Sequence, residues 1–162
     1  IIGIPALHAV ALAQPLPRIR PARLAAVLQA GRGRLAVGWY EASLPVQADS
    51  PLSKAEEAYI AWGCDQVRYE LLTLPQLVEK IATNALAPSQ PKSVTILSGE
   101  LNSAAREYVI QQKKGFPPES LLLVSAAQSL RRPAFLAELG WRRWQRGEVD
   151  DPHSLAPIYL QG

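Results

Sequence analysis

The sequence contains no methionine, one cysteine and two histidines among its 162 residues. The lone thiol of Cys64 cannot form an internal disulfide, and we expect it to be a structural residue. His8 and His153 lie at opposite ends of the chain, so they do not form a Cys/His zinc site with it. No apolar run approaches the ~18 residues of a membrane helix. These absences favour a cytoplasmic domain that holds no metal.

Position 1 is isoleucine rather than methionine. We therefore expect the chain to be a piece of a longer protein whose natural N-terminus is missing. Residues 1–13 are apolar like the core of a signal peptide, but they lack its basic start and its methionine. Hydrophobic residues make up 48% of the chain and charged residues 19%, with a net charge of +3. This composition predicts one globular domain over residues 1–162, and the mild charge does not identify a partner.

The motifs of common enzyme classes are absent from the sequence. No Gly-x-Ser-x-Gly turn occurs. The run Gly31-Arg32-Gly33 lacks the third glycine and the following helix of a dinucleotide-binding loop. The isolated histidines and cysteine leave no pair of nucleophile and base. We predict no catalytic residue, no cofactor and no metal ligand.

Prolines and glycines divide the sequence into short elements. Gly31 and Gly33 predict a tight turn between strands over residues 24–30 and 35–42. The alternation of Val67, Tyr69 and Leu71 predicts a third strand, over 66–72, beside this hairpin. Further predicted elements are strands over 1–4, 94–97 and 121–124, helices over 5–13, 74–86, 103–114 and 133–147, a helix or strand over 54–62, and an extended tail over 151–160. This order predicts an α/β protein: a mixed sheet with an antiparallel hairpin, flanked by helices.

The last predicted helix has a broad apolar arc that includes Trp141 and Trp144, and we expect it to be mostly buried. Arg143 falls inside the arc, where it either snorkels or meets a carboxylate or phosphate. Arginine also clusters at the hairpin and around this helix. Most of these side chains are typical of a solvated surface. The candidates for contacts with a partner or a phosphate are Arg32, Arg34, Arg143 and Arg146.

Four segments, taken in order, resemble the C-terminal part of the TsaB family, also called YeaZ. Residues 3–11 are similar to its strand-to-helix segment, and residues 28–35 to its β-hairpin. Residues 96–100 resemble its glycine loop, and residues 155–160 match its closing Pro-x-Tyr-Leu signature. Each motif alone is weak, and the four together span nearly the whole chain.

The resemblance implies one lobe of an actin-like ATPase (RNase H-like) fold, with the N-terminal lobe of the parent protein absent. It implies a non-catalytic scaffold subunit that pairs with a catalytic paralogue to make threonylcarbamoyladenosine, next to the anticodon of tRNA. The implied partners are that paralogue, TsaD, and the ATPase TsaE, with tRNA contacted indirectly and a homodimer as a further assembly. Cofactors and membrane partners are not implied.

The chain departs from the catalytic relative in ways that favour a pseudo-enzyme. It has no His-x-x-x-His metal motif, and Gln29 and Arg34 replace acidic residues of the hairpin. Leu101 stands at the second glycine of the loop, where a side chain obstructs the close approach of an adenosine. The alternatives are a glycoprotease-like (M22) enzyme or a nucleotide-binding actin-like ATPase domain, and thirdly an RNA-binding module.

Overall fold

The helices and strands follow the predicted order over most of the chain. The computed structural model describes residues 1–15, 21–42, 59, 61–86, 93–158 and 160. Over these residues the elements are α1 (Ala6–Leu12), β1 (Ala22–Gln29), β2 (Arg34–Glu41), β3 (Arg68–Thr73), α2 (Leu74–Leu86), β4 (Val94–Gly99), α3 (Ser103–Lys113), β5 (Leu121–Leu123) and α4 (Pro133–Gln145), with short 3-10 turns at Cys64–Gln66 and Ala127–Ser129.

Within the described residues, five strands form a single mixed sheet in the order β3-β2-β1-β4-β5. The β1–β2 and β2–β3 pairs are antiparallel, whereas β4 runs parallel to both β1 and β5. The β1–β2 turn places Gly31, Arg32 and Gly33 at positive φ, and the Ala30 amide donates to the Arg34 carbonyl across it at 2.9 Å. The predicted α/β class, with a mixed sheet, an antiparallel hairpin and flanking helices, is therefore confirmed.

The two faces of the sheet carry separate hydrophobic clusters. On one face Leu24 and Ala26 of β1 share a cluster with residues of α1 and α4. On the other face Ala25 and Val27 share a cluster with residues of α2 and α3. Side chains alternate between faces along a strand, so the central strand β1 supplies both clusters. Its small alanines allow helices to lie close to the sheet.

The helix starts follow local capping chemistry. The Thr73 amide donates to the Gln76 side-chain oxygen at 2.8 Å, and the Gln76 amide donates back to the Thr73 hydroxyl at 3.5 Å. This reciprocal pair satisfies two amides at the start of α2. Asn102 accepts a hydrogen bond from the Ala105 amide at 2.9 Å and caps α3. Pro133 begins α4, as the sequence predicted.

Residues 1–4 do not form the predicted strand. The Gly3 amide donates to Asp150 at 2.7 Å, and the Asp150 amide donates to the Ile1 carbonyl at 3.0 Å. These bonds hold the segment beside the turn after α4 instead of beside the sheet. The residues of the 151–160 tail that are described form a turn at 152–154 and then irregular chain.

The prediction that α4 is mostly buried is also wrong. Leu139 is its one fully buried residue, and Trp141 and Trp144 are exposed. The apolar arc of the sequence is wider than the strip that packs on α1, so part of it faces outward.

Most of the 54–62 prediction lies outside the described residues. Within the described ranges, none of the helices has both the length and the apolarity required to cross a bilayer.

Candidate functional site

An apolar cleft of about 720 Å³ opens beside the hairpin end of the sheet. The start of α1 forms one wall, the closing segment of the chain forms another, and the sheet forms the floor. The lining residues are Gly3, Ile4, Pro5, Ala6, Leu7, Leu28, Ala36, Tyr69, Leu155, Ala156, Pro157, Ile158 and Leu160. Residues of the segments 3–11, 28–35 and 155–160 therefore meet around one cleft.

The first and last of these segments are in direct contact. A Cβ atom added to Gly3 would lie 2.7 Å from Cδ1 of Leu155. A real Cβ atom essentially never lies this close to another heavy atom. The Leu155 side chain therefore occupies space that a side chain at position 3 would need. The absence of a side chain at position 3 therefore lets the two ends of the chain pack together.

The glycine loop after β4 is joined to the hairpin segment. Gly99 has a φ of +127°, and an added Cβ would lie 2.0 Å from the Val27 carbonyl oxygen of β1. The Gln29 amide donates to the Glu100 carboxylate at 3.1 Å, and the Gln29 side-chain amide donates to the Glu100 carbonyl at 3.1 Å. Leu101 is buried in the cluster beneath α2 and α3. The third resembling segment, residues 96–100, is thus fixed to the second, residues 28–35.

α1 carries a buried histidine, His8. His8 is 3% exposed, and its Nε2 lies 3.0 Å from the Tyr69 hydroxyl. Its ring makes edge-on contacts with the rings of Tyr40 and Tyr59, at centroid distances of 5.7 and 5.6 Å. Burial lowers the pKa of His8 to about 4, against the weaker opposing charge of Asp65. The imidazole is therefore neutral at pH 7.

A second cleft, of about 420 Å³, lies between this histidine and α4. The Tyr59 hydroxyl donates to Asp65 at 2.7 Å, and burial raises the pKa of Tyr59. On the opposite wall, Arg143 contacts Glu148 at 3.5 Å and Asp150 at 3.6 Å. Arg143 is thus paired with two carboxylates of the chain, and Asp65 accepts a hydrogen bond from a neutral tyrosine. Their arrangement is typical of a structural network.

Among the residues that the structure describes, the buried titratable groups do not form a reactive pair. Burial raises the pKa of the Cys64 thiol to about 12, so it is protonated near neutral pH. The same effect raises the pKa of Tyr69 to about 12. Across the described part of the chain, groups of three or more metal-binding side chains are not found.

The four arginines singled out by the sequence do not converge on one site. Arg32 lies at the hairpin tip with a φ of +52°, and Arg34 begins β2 opposite Thr73. Arg143 and Arg146 are on α4, and both contact Glu148. Arg143 also donates to the Gly3 carbonyl at 3.3 Å. The carboxylates that Arg143 meets thus belong to the chain itself.

Sequence reasoning missed the cluster around His8 and the two close glycines. The tyrosines come from distant parts of the sequence, and a signal for their convergence is not visible in it. Gly3 and Gly99 were recognisable as glycines within motifs. Their neighbours, Leu155 and Val27, become evident only once the sheet is formed.

Comparisons with known proteins do not show a family. The chain matches no protein-family model and no curated protein sequence. Among solved structures, a crystal structure of a mutant Bst-RNase HIII is similar with a TM-score of 0.31 and 15% sequence identity. The alignment covers 88% of this chain and 58% of that one. This likeness is too weak to define a function.

Proposed function

We propose that the chain is the C-terminal lobe of a TsaB-like scaffold subunit. In this role it pairs with the catalytic paralogue TsaD and takes no chemical step itself. The parent protein would then support the formation of threonylcarbamoyladenosine in tRNA.

The observation that carries this proposal is the meeting of the four resembling segments in space. Residues from the first, second and fourth of them line the apolar cleft, and Gly3 is in contact with Leu155. The remaining segment is bonded to the hairpin through Glu100 and Gln29. Segments that are distant in sequence and meet in one unit favour a shared family architecture over four chance similarities.

The buried groups support a binding role rather than catalysis. His8 uses Nε2 against a tyrosine, and the high pKa of Cys64 keeps its thiol protonated. A general base or a nucleophile requires a pKa nearer to neutral and access to a substrate. Binding to a protein partner requires neither of these.

The test is to deplete the parent protein in cells and to measure threonylcarbamoyladenosine in digested tRNA by mass spectrometry. We expect the modified nucleoside to fall, and to be restored by the parent gene but not by the same gene without residues 1–162. Calorimetry of the purified parent should show binding to TsaD. The isolated chain should show negligible ATP binding, because Leu101 replaces a loop glycine.

An unchanged content of the modified nucleoside after depletion would overturn the proposal. Micromolar ATP binding by the chain, together with no TsaD binding by the parent, would instead favour the actin-like ATPase alternative. A control depletion of TsaD itself establishes the size of effect that the assay can detect.

A further inference from the structure

The second cleft, beside α4, has a buried polar atom in its wall that the fold leaves unpaired. His8 lines this cleft and is 3% exposed. Its Nε2 lies 3.0 Å from the Tyr69 hydroxyl, whereas Nδ1, which is also buried, has no hydrogen-bond partner among the described residues. A buried polar atom without a partner costs free energy, so a fold rarely keeps one without a cause.

Asp65 lies in the same wall, and its charge is not balanced by a cation. The Tyr59 hydroxyl donates to Asp65 at 2.7 Å, and this neutral donor leaves the negative charge in place. The ion pairs found within the described residues do not include Asp65. The charge of Asp65 opposes the effect of burial on the pKa of His8, so the two groups are close enough to interact.

The opposite wall of the cleft contains basic residues that already have partners. Arg143 contacts both Glu148 and Asp150. Arg146 contacts Glu148 at 3.2 Å. Two guanidinium groups thus face two carboxylates of the chain. An anionic ligand would have to compete with these pairs, whereas a cationic ligand meets an unbalanced carboxylate at Asp65, so the charges favour a cation.

The remaining lining of the cleft suits a short apolar body. Ile4, Pro5 and Leu139 lie beside the polar groups. Tyr59 also lines the cleft, and the face of a phenol ring attracts an ammonium group. The volume of about 420 Å³ falls within the ~300–1,000 Å³ that is usual for sites of small molecules. A fitting ligand therefore has one cationic end and a compact apolar part.

We propose that this cleft binds a small organic amine in its protonated form, with the ammonium group paired to Asp65 and the apolar part packed against Ile4 and Leu139. His8 supports the site through Nδ1. The Tyr69 hydroxyl can donate or accept, so the neutral imidazole is free to keep a lone pair at Nδ1, and the field of that lone pair attracts a cation. This inference does not depend on the scaffold function.

The test compares three probes of one shape and different charge. Phenethylamine is a cation at pH 7, 2-phenylethanol is neutral and phenylacetate is an anion. Their affinities for the full chain are measured by calorimetry. We expect phenethylamine to bind at least about fivefold more tightly than 2-phenylethanol, as for a charge pair that solvent partly screens, and phenylacetate to bind most weakly.

The variant Asp65→Asn removes the charge and retains the shape of the side chain. It should weaken the binding of phenethylamine by at least about fivefold and change that of 2-phenylethanol by less than about twofold. The matched control is Glu107→Gln, which removes one exposed negative charge from α3, on the other face of the sheet. That variant should bind phenethylamine within about twofold of the wild type. Both replaced residues are exposed, and circular dichroism should show that both variants fold.

The His8 imidazole provides a second readout by nitrogen NMR. The chain has two histidines, so the variant His153→Gln leaves His8 as the source of the imidazole signals. We expect phenethylamine to shift the Nδ1 resonance more than 2-phenylethanol does, with Nδ1 as the unprotonated nitrogen of the complex.

Several results would overturn the amine site. Equal affinities for phenethylamine and 2-phenylethanol, or wild-type affinity in Asp65→Asn, would show that the charge of Asp65 is not used. Tighter binding of phenylacetate would assign the cleft to the arginines of α4. Binding of phenethylamine without a shift at His8 would place the amine elsewhere on the protein, and absence of binding in the millimolar range would exclude the site. The scaffold function is tested separately, through TsaD and the modified nucleoside.

Discussion

Replacing Gly99 with alanine should destabilise the domain more than the same change at most other glycines. Gly99 ends β4 with a φ of +127°, a region that side chains rarely adopt. An added Cβ would lie 2.0 Å from the Val27 carbonyl oxygen and 2.9 Å from two further backbone atoms of Val27. Because these atoms belong to the central strand β1, they cannot move aside as the end of a flexible side chain can.

Two costs follow from this geometry. A residue held in a glycine-only region of backbone space costs about 1–3 kcal/mol. The Val27 oxygen also accepts the Glu100 amide at 2.9 Å, and displacement of that bond leaves a buried group unsatisfied. The loss of such a bond costs about 1–3 kcal/mol. Together they reduce the free energy of unfolding by about 2–6 kcal/mol, a large part of the ~5–15 kcal/mol that is usual for a domain.

The measurement is urea unfolding of the wild type and of Gly99→Ala, followed by circular dichroism. With a slope of about 2 kcal/mol per molar urea, the midpoint should fall by about 2 M. The thermal midpoint should fall by about 10 °C, from the ~2–4 °C per kcal/mol expected at this size.

The matched control is Gly33→Ala, because Gly33 has a φ of +71° and no atom within 4 Å of the added Cβ. That variant tests backbone strain alone and should lose about 1–2 kcal/mol. Equal losses in the two variants would refute the argument that contact with β1 makes the glycine necessary.

Two further predictions concern buried groups. His8 takes up a proton near pH 4 in the folded state and near 6.5 in the unfolded state, so its contribution to stability is complete above pH 6.5 and is lost as the pH falls. Urea unfolding at pH 7.5 and pH 5 should show a loss about 2 kcal/mol larger in the wild type than in His8→Leu, and equal losses would exclude His8 as the cause. Cys64 should react with a thiol reagent at pH 8 at least about 10³-fold more slowly in the folded protein than in urea, since the pKa of its thiol is raised to about 12. Rapid labelling of the native protein would contradict that burial.

The elements that the sequence predicted correctly are those with a local cause. The Gly31 and Gly33 turn, the Thr73 cap of α2 and the stop of α3 before Gly115 each depend on residues within a few positions. Such signals need no knowledge of the rest of the chain. The α/β class followed from their order, and the structure confirms it.

The predictions that were wrong concern segments whose position or burial is determined by tertiary packing. Residues 1–4 are apolar, yet they bond to Asp150 rather than to a strand. The apolar arc of α4 indicates how many residues could be buried, but only the position of α1 determines which ones are. For that reason Leu139 is buried whereas Trp141 is exposed. The candidate site was predictable only as a set of segments, because their contacts join residues distant in the sequence.

The bond between Gly3 and Asp150 joins residues 147 positions apart, and this separation affects the order in which the domain forms. Closing a loop of that length has an entropic cost of about 4 kcal/mol, from the (3/2)RT ln n relation. During synthesis at ~5–20 residues per second, residue 150 follows residue 3 by roughly 7–30 s. The layer containing α1 and α4 therefore stays incomplete on the ribosome after the strands of the hairpin have emerged. Until α4 has been made, this face of β1 lacks the cover that Leu139 provides.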